Sequence, residues 1–342
     1  MHLADLGADV IAVERADEGQ VNLLNRGKRS VLANLKTAEG RNLVLRLIED
    51  ADVLIEGMRP GVMERLGLGP EVCQARNPKL VYGRMTGWGQ SGPMAQAAGH
   101  DNNYASLSGA LFHNGTPDTP PSSLFATLGD IAGGALYLTI GVLSALMNVR
   151  TSGKGAVVDA AIVDGSAHML QLMLSTRNIG FVGDERGKNI HDSSPFYTTY
   201  RCADGAFITL GSIEPQFYAL LLDKLGLEGE PRFANQWDRS LWAEQHRHFT
   251  ELFASRTRAQ WCTLMEGTDV CFAPVLAPFE AAEHPHLVAR DTYFTRDNLL
   301  QTRVAPRFNG QVVTPGEVPG AGEHTGQILA ALDANASVWR SS

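Results

Sequence analysis

The chain has 342 residues, 44% of them hydrophobic and 19% charged, which suits a globular protein with one large core or two smaller ones. With 37 acidic and 29 basic residues the formal charge is −8, so nucleic acid is excluded as the main partner: no basic excess exists to displace counterions. The four cysteines, Cys73, Cys202, Cys262 and Cys271, form no C-x-x-C pair and lie at no zinc-like spacing to histidine, the pattern of reduced thiols in a cytoplasmic protein without a metal centre. Residues 1–5 place no basic region before an apolar run, so no secretory signal is expected.

In chain order, residues 10–13 predict a first strand. Thr37 is placed to cap a helix running to residue 50, with Leu43, Leu45, Leu47 and Ile48 as its buried stripe. Residues 52–56 predict a second strand, a short helix near Glu71 stops before Pro78, and residues 80–84 predict a third strand. The stretch 131–149 carries no charge over 19 residues, within the length of a membrane span. It stands alone and holds glycines and hydroxyls, so it is expected to be a buried core helix, without membrane insertion. Residues 156–160 predict a fourth strand and 163–178 another helix. Alternation of this kind argues α/β architecture with a doubly wound, mostly parallel sheet.

The texture changes near Ser193. Residues 197–201 and 206–210 flank Ala203-Asp204-Gly205, a hairpin signal, and helical patterns follow over 215–225, 242–254 and 258–265. The expected organisation is a large α/β domain, residues 1–192 and 305–342, with a smaller α+β domain over 193–304. The tail begins a last helix after Gly322-Glu323-His324-Thr325.

Two constellations carry chemistry. The first is basic: Arg15, Arg26-Gly27-Lys28-Arg29, Lys36, and Arg59 with Arg65 fall at strand ends or turns of the first domain. Ligands of open α/β sheets bind there, and Arg forks suit phosphate. Any one of these residues reads as solvated surface; the set suggests a polyphosphate ligand. No Gly-rich phosphate fingerprint occurs at a suitable strand end, which argues against a nicotinamide enzyme or a kinase. The second is Gly99-His100-Asp101-Asn102-Asn103-Tyr104, followed by Gly129-Asp130-Ile131-Ala132-Gly133-Gly134. It offers an imidazole and a carboxyl, each beside glycine, that could take and give protons near neutral pH. Taken singly, His100 would be loop surface and Asp130 a helix cap.

Longer motifs carry a resemblance. Asn25-Arg26-Gly27-Lys28-Arg29-Ser30, Glu56-Gly57-Met58-Arg59-Pro60-Gly61, Glu64-Arg65-Leu66-Gly67-Leu68, residues 85–93 (MTGWGQSGP), residues 153–159 (GKGAVVD) and the Gly-Glu-His-Thr tail are similar to the family III coenzyme A transferases (CaiB/BaiF) over nearly the whole chain. Within that family the Gly-His-Asp-x-Asn-Tyr element resembles the α-methylacyl-CoA racemases, enzymes of fatty-acid metabolism. The resemblance implies a homodimer of two interlocked rings, with each active site shared between the large domain of one chain and the small domain of the other. Coenzyme A, brought as part of the substrate and not as a tightly bound cofactor, would lie against Arg15, Ala33, Asn34, Leu35, Lys36, Gly57, Met58, Arg59, Arg65, Gly99, Asp101, Asn102, Asn103 and Tyr104. Asn34 stands where the family commonly has Asp. His100 and Asp130 would be the acid/base pair, and Glu214 the partner-chain carboxylate that orients His100. Residues 169–173 (MLQLM) would form an apolar surface for the acyl tail, although methionines at this spacing are also ordinary core. In the family a strand and most of a helix precede Leu3–Asp9, so this chain is expected to lack the N-terminal strand.

The chemistry this implies is racemisation at C2 of a 2-methylacyl thioester. His100 would take the α-proton, protonated Asp130 would return one to the opposite face, and N–H groups of residues 131–134 would hold the enolate oxygen. The alternative is CoA transfer with Asp130 as nucleophile; the His at position 100 and the lack of a Gly-rich flap at residues 211–215 argue against it. A third reading is a non-catalytic acyl-CoA-binding protein.

Overall fold

Strand and helix alternate through the first half of the chain, as the hydrophobic pattern predicts. A computed structural model describes residues 1–15, 22–116, 118–122, 124 and 126–339. The chain divides into two units: Met1–Ser108, Leu124–Met169 and Asp291–Ser342 form the first, and Gly109–Ser123 and Leu170–Arg290 the second.

In the first unit β1 (Ile11–Glu14) pairs in parallel with β2 (Arg29–Leu32), Ile11 opposite Arg29. A second parallel ladder runs β3 (Val53–Glu56), β4 (Val81–Thr86), β5 (Val157–Ala161), with β4 in the centre. The expected single sheet is therefore two parallel ladders among the described residues. β2 was not foreseen: its sequence, Arg-Ser-Val-Leu, looks polar because its arginine and serine are buried and paired instead of exposed.

Helix α1 (Ala38–Ile48) starts where the Thr37 hydroxyl accepts the Gly40 N–H at 3.2 Å. Leu43, Val44, Leu47 and Ile48 are its buried face, so Val44 takes the place expected of Leu45. That face splits between two cores. Leu43 and Leu47 meet Val31 and Ile328 of the terminal helix Thr325–Asp333, while Val44 and Ile48 meet Leu68, Leu80 and Tyr82. Helix α2 (Pro70–Arg76) covers the second of these with Cys73. Helix α3 (Asp101–Leu107) is followed by a nine-residue π-helical segment, Thr127–Ala135, which continues into α4 (Leu136–Ser152); α5 (Ile162–Met169) comes directly after β5.

The apolar stretch behaves differently from expectation. Only Leu138 and Val142 of α4 are buried, against Val81 and Ala160 of the sheet. Ile140, Leu143 and Met147 are 61%, 44% and 72% exposed. The run Thr127–Ser152 is long and apolar enough to cross a membrane by length and composition, yet one edge of it packs on a sheet. A buried core helix is thus corrected to a helix with one bound edge and one open apolar face.

The second unit has an antiparallel sheet of β6 (Thr199–Arg201), β7 (Phe207–Leu210) and β8 (Phe272–Val275), with the expected tight turn at Gly205. Helices α6 (Pro215–Leu225), α7 (Trp242–Phe253) and α8 (Arg258–Met265) enclose an aromatic core of Phe196, Phe233, Phe249, Phe253 and Trp261. The expected domain break near residue 193 falls instead after Met169, because Ile190 joins this core. The return falls at Asp291, because the hairpin of Tyr293–Arg296 and Leu299–Thr302 is tied to the first unit by Arg26, which donates to Thr302 O at 2.9 Å.

Arg26 and Arg29 are not anion-binding residues. Arg26 is 4% exposed and pairs with Asp5 at 2.7 Å; Arg29 is 5% exposed, pairs with Asp9 at 2.6 Å and donates to Val338 O. Removing one member of such a buried pair strands a charge. Asp5→Ala should therefore lower the unfolding free energy by about 3–5 kcal/mol, measured by denaturant melting, whereas the double variant Asp5→Leu with Arg26→Met should recover most of the loss.

Candidate active site

Three short elements of the first unit position His100 and Asp130, the residues expected to form an acid/base pair. His100 is the N-cap of α3: its own N–H donates to Asn103 Oδ1 at 3.0 Å, and its side chain is exposed. The preceding Gly99 is held by Tyr104, whose hydroxyl donates to Gly99 O. The Tyr104 ring meets Trp88 edge-on at 4.7 Å, and a Cβ on Gly87 or Gly99 would run into it. The glycine beside His100 thus makes room for a buried aromatic ring that braces the turn.

Asp130 sits in the first turn of the π-helical segment and is half-buried. The neighbouring Asp101, at the start of α3, turns inward: its Oδ1 accepts the N–H of Gly129 and of Asp130, both at 2.7 Å. On the other side the segment lies against α5. A Cβ on Gly133 would overlap Ser166, and one on Gly165 would overlap Gly133 O. The sequence marks Gly133 only as a neighbour of Asp130 and gives no sign of Gly165. Their work is to let two helices and the π-helical segment approach at backbone distance.

This arrangement sets the electrostatics. Burial, and then the negative charge of Asp101, push the Asp130 carboxyl above the usual carboxylate range; His100 is near enough to pull it back. A carboxyl that holds its proton longer than usual and an imidazole on the adjacent helix start can together give and take a proton. The N–H groups expected to hold an enolate oxygen are not free. Ile131 donates to Ala126 O at 3.3 Å, and the π-helical ladder takes those that follow. Among the described residues, no hydrogen bond is made by the Asp101 N–H, the donor next in the chain to His100.

The residues expected along coenzyme A lie at the carboxyl ends of the parallel strands. Arg15 follows β1 and is exposed. After β2, Ala33 is buried, and residues 34–37 turn into α1: Asn34 Oδ1 accepts the Lys36 N–H, and Asn34 O accepts the Thr37 N–H. Arg41 braces this turn by donating to Leu35 O and Lys36 O, a role that its helical position gives no sign of. After β3, Gly57, Met58 and Arg59 are exposed, and Met58 N–H donates to Glu56 Oε2 at 2.7 Å. Glu56 is held from β4 by Arg84, which also forks onto Glu64 and keeps that carboxyl below its usual range. Arg65 ends the turn Val62–Arg65 and is exposed, as is Asn102. Lys36 is exposed too, so Arg15, Lys36, Arg59 and Arg65 are open to solvent.

Glu214 belongs to the second unit, at the N-cap of α6. Its side chain is exposed and makes no capping hydrogen bond, so helix capping does not account for it. Met169 ends α5 in the first unit. Met173 lines a cavity of about 310 Å³ in the second, with Phe112, Leu170, Leu174 and Val182, and the Arg177–Asp184 ion pair joins its lining.

Comparison with known proteins places the chain in a family. The chain is 43% identical to the α-methylacyl-CoA racemase of Mus musculus over 333 residues, covering 96% of the chain and 87% of that protein. It is 41% identical to the Homo sapiens α-methylacyl-CoA racemase over 334 residues with the same coverage. A CaiB/BaiF family protein from Brucella suis has the same α/β fold with parallel sheets, at a TM-score of 0.80 and 28% identity over 97% of this chain and 94% of that one. The profile of CoA-transferase family III matches residues 1–325, and the chain belongs to that family.

Proposed function

We infer that the protein is an α-methylacyl-CoA racemase, inverting C2 of 2-methylacyl-CoA thioesters by proton removal and return. One observation carries this: a half-buried carboxyl, Asp130, shifted by burial toward its protonated form, lies within the electrostatic reach of an exposed imidazole, His100, at the start of an adjacent helix. The alternative, attack by the Asp130 carboxylate in CoA transfer, gives the imidazole at position 100 no part in the chemistry. The relatedness to mammalian racemases over 96% of the chain supports the same reading.

The thioester makes the C2 hydrogen acidic. His100 takes it from one face, the electron pair moves into the enolate, and the Asp130 carboxylic acid gives its proton to the other face. The reverse reaction exchanges the roles. Coenzyme A is the carrier half of the substrate, and the exposed cations Arg15, Lys36, Arg59 and Arg65 fit its phosphates. The Tyr104-braced turn from Gly99 to Asn103 fits its thioester end. No step calls for a metal or a redox group.

The open apolar face of α4, Ile140, Leu143 and Met147, fits burial by a second copy of the chain rather than by lipid, since the opposite edge of the helix already packs on a sheet. In that homodimer Glu214 of a second copy is the carboxylate that orients His100. The setting proposed is the cytoplasm, consistent with four thiols and no disulfide among them.

In heavy water, both enantiomers of a 2-methylacyl-CoA should gain deuterium at C2 and converge to a racemate on a chiral column. His100→Ala and Asp130→Asn should each slow this by about 10²–10⁴-fold; full exchange of both enantiomers by His100→Ala would refute the mechanism. Hydroxylamine should trap no acyl adduct on Asp130, whereas a transferase would yield one. Light scattering should report a dimer, and Met147→Glu should shift it toward monomer with loss of exchange.

A further inference from the structure

The carboxylate of Asp101 has no role in the proton transfer as written, yet its position is unusual. It is 7% exposed, reaches from the first residue of α3 to a segment 28 residues later, and binds two successive backbone N–H groups through a single oxygen. Its other oxygen, Oδ2, is buried with no hydrogen-bond partner among the described residues. A serine or asparagine could cap those N–H groups without burying a charge. A Cβ on Gly129 would meet Asp101 Oδ1 at 2.8 Å, so the fit between the two is tight. We propose that Asp101 is a positioning residue for the proton transfer: clamped on the Gly129 and Asp130 N–H groups, its carboxylate fixes where the Asp130 carboxyl points and keeps a second negative charge beside it.

The charge has a mechanistic use. When Asp130 gives its proton to C2 it becomes the second carboxylate of a close pair. Repulsion from Asp101 then makes it the stronger base for the return direction, and it keeps the resting carboxyl protonated over a wider pH range. The other titratable or charged groups of the elements packed on the π-helical segment are accounted for. From α3 come His100, which opposes the effect, and Tyr104, whose hydroxyl is held by Gly99 O. On α5, Asp164 is exposed, and His168 is taken by the Tyr137 hydroxyl of α4 at 2.7 Å. The remaining basic residue of α4, Arg150, lies in its last turn. On β5, Asp159 Oδ2 accepts the Gln90 N–H, and on β4 Arg84 is bound to Glu56 and Glu64 while the Tyr82 hydroxyl donates to Leu68 O. Asp101 is the negative charge that touches the Asp130 backbone.

The proposal rests on the racemase reading, and the test separates the two. Asp101→Asn keeps an oxygen for both N–H groups and removes the charge. In its pH profile of kcat/KM for C2 exchange, the limb that follows Asp130 should move to lower pH by about 0.5–1 unit. Asp101→Ala removes clamp and charge; kcat should fall about 100-fold while KM for the acyl-CoA changes little. An unmoved profile in Asp101→Asn overturns the proposal, and that profile decides even where Asp101→Ala does not fold. An Asp101→Ala enzyme with unchanged kcat overturns it as well. Asp130→Asn is measured in parallel: if it keeps full exchange, the assignment of Asp130 fails instead, whatever Asp101 does.

Discussion

The backbone contact between the π-helical segment and its two neighbouring helices is the constraint on which the site depends. Gly133 and Gly165 bring the segment against α5 with no side chain between them, and Gly129 brings it against Asp101. Glycine costs conformational entropy in a helix, roughly 0.5–1 kcal/mol relative to alanine. Here that cost is accepted at three places so that a carboxyl can be held in a fixed spot, partly out of water. The wide helical turns have the same meaning, since π-helical segments are rare and frequently mark functional sites.

Charge in the first unit is sorted by depth. Arg26, Arg29 and Arg84 lie inside, each matched to a carboxylate, and they tie the N-terminal turn, β2 and β4 to the rest of the unit. Arg15, Lys36, Arg59 and Arg65 lie outside at the strand ends. The inner set builds the frame, and the outer set is the one proposed to meet the phosphates of coenzyme A. Arg84 joins the two, because it grips Glu56, and Glu56 in turn holds the Met58 N–H at the edge of the outer loop. A loop anchored this way loses little freedom when a phosphate arrives.

Much of this is legible in the sequence. Strands β1, β3, β4 and β5, helix α1 with its Thr37 cap, and the Asp-Gly hairpin follow from periodicity and turn chemistry. The His100 and Asp130 pair was visible as two proton carriers beside glycine. What was hidden depended on partners far away in sequence. Arg29 and Ser30 look like a surface turn until Asp9 and Glu14 neutralise and bond them. Arg26 looks like a phosphate ligand until Asp5 is beside it. The domain boundary was misplaced because Ile190 has no local sign of which core it joins. The inward turn of Asp101 was unreadable for the same reason: its acceptor geometry is completed by residues 28 and 29 positions on.

The π-helical segment and α4 are continuous, so one rod carries both the Asp130 carboxyl, the proposed proton donor, and the Leu138 and Val142 side chains that grip the sheet. Their angular relation is set by hydrogen-bond spacing alone. Losing one residue between Asp130 and Leu138, with the hydrogen-bond spacing of the rest unchanged, would turn Asp130 by about 100° around the axis relative to those anchors. The number of residues in this stretch is therefore as strict a requirement as their identity. Variation in length, harmless in a loop, would here leave every named side chain present and the acid facing the wrong way.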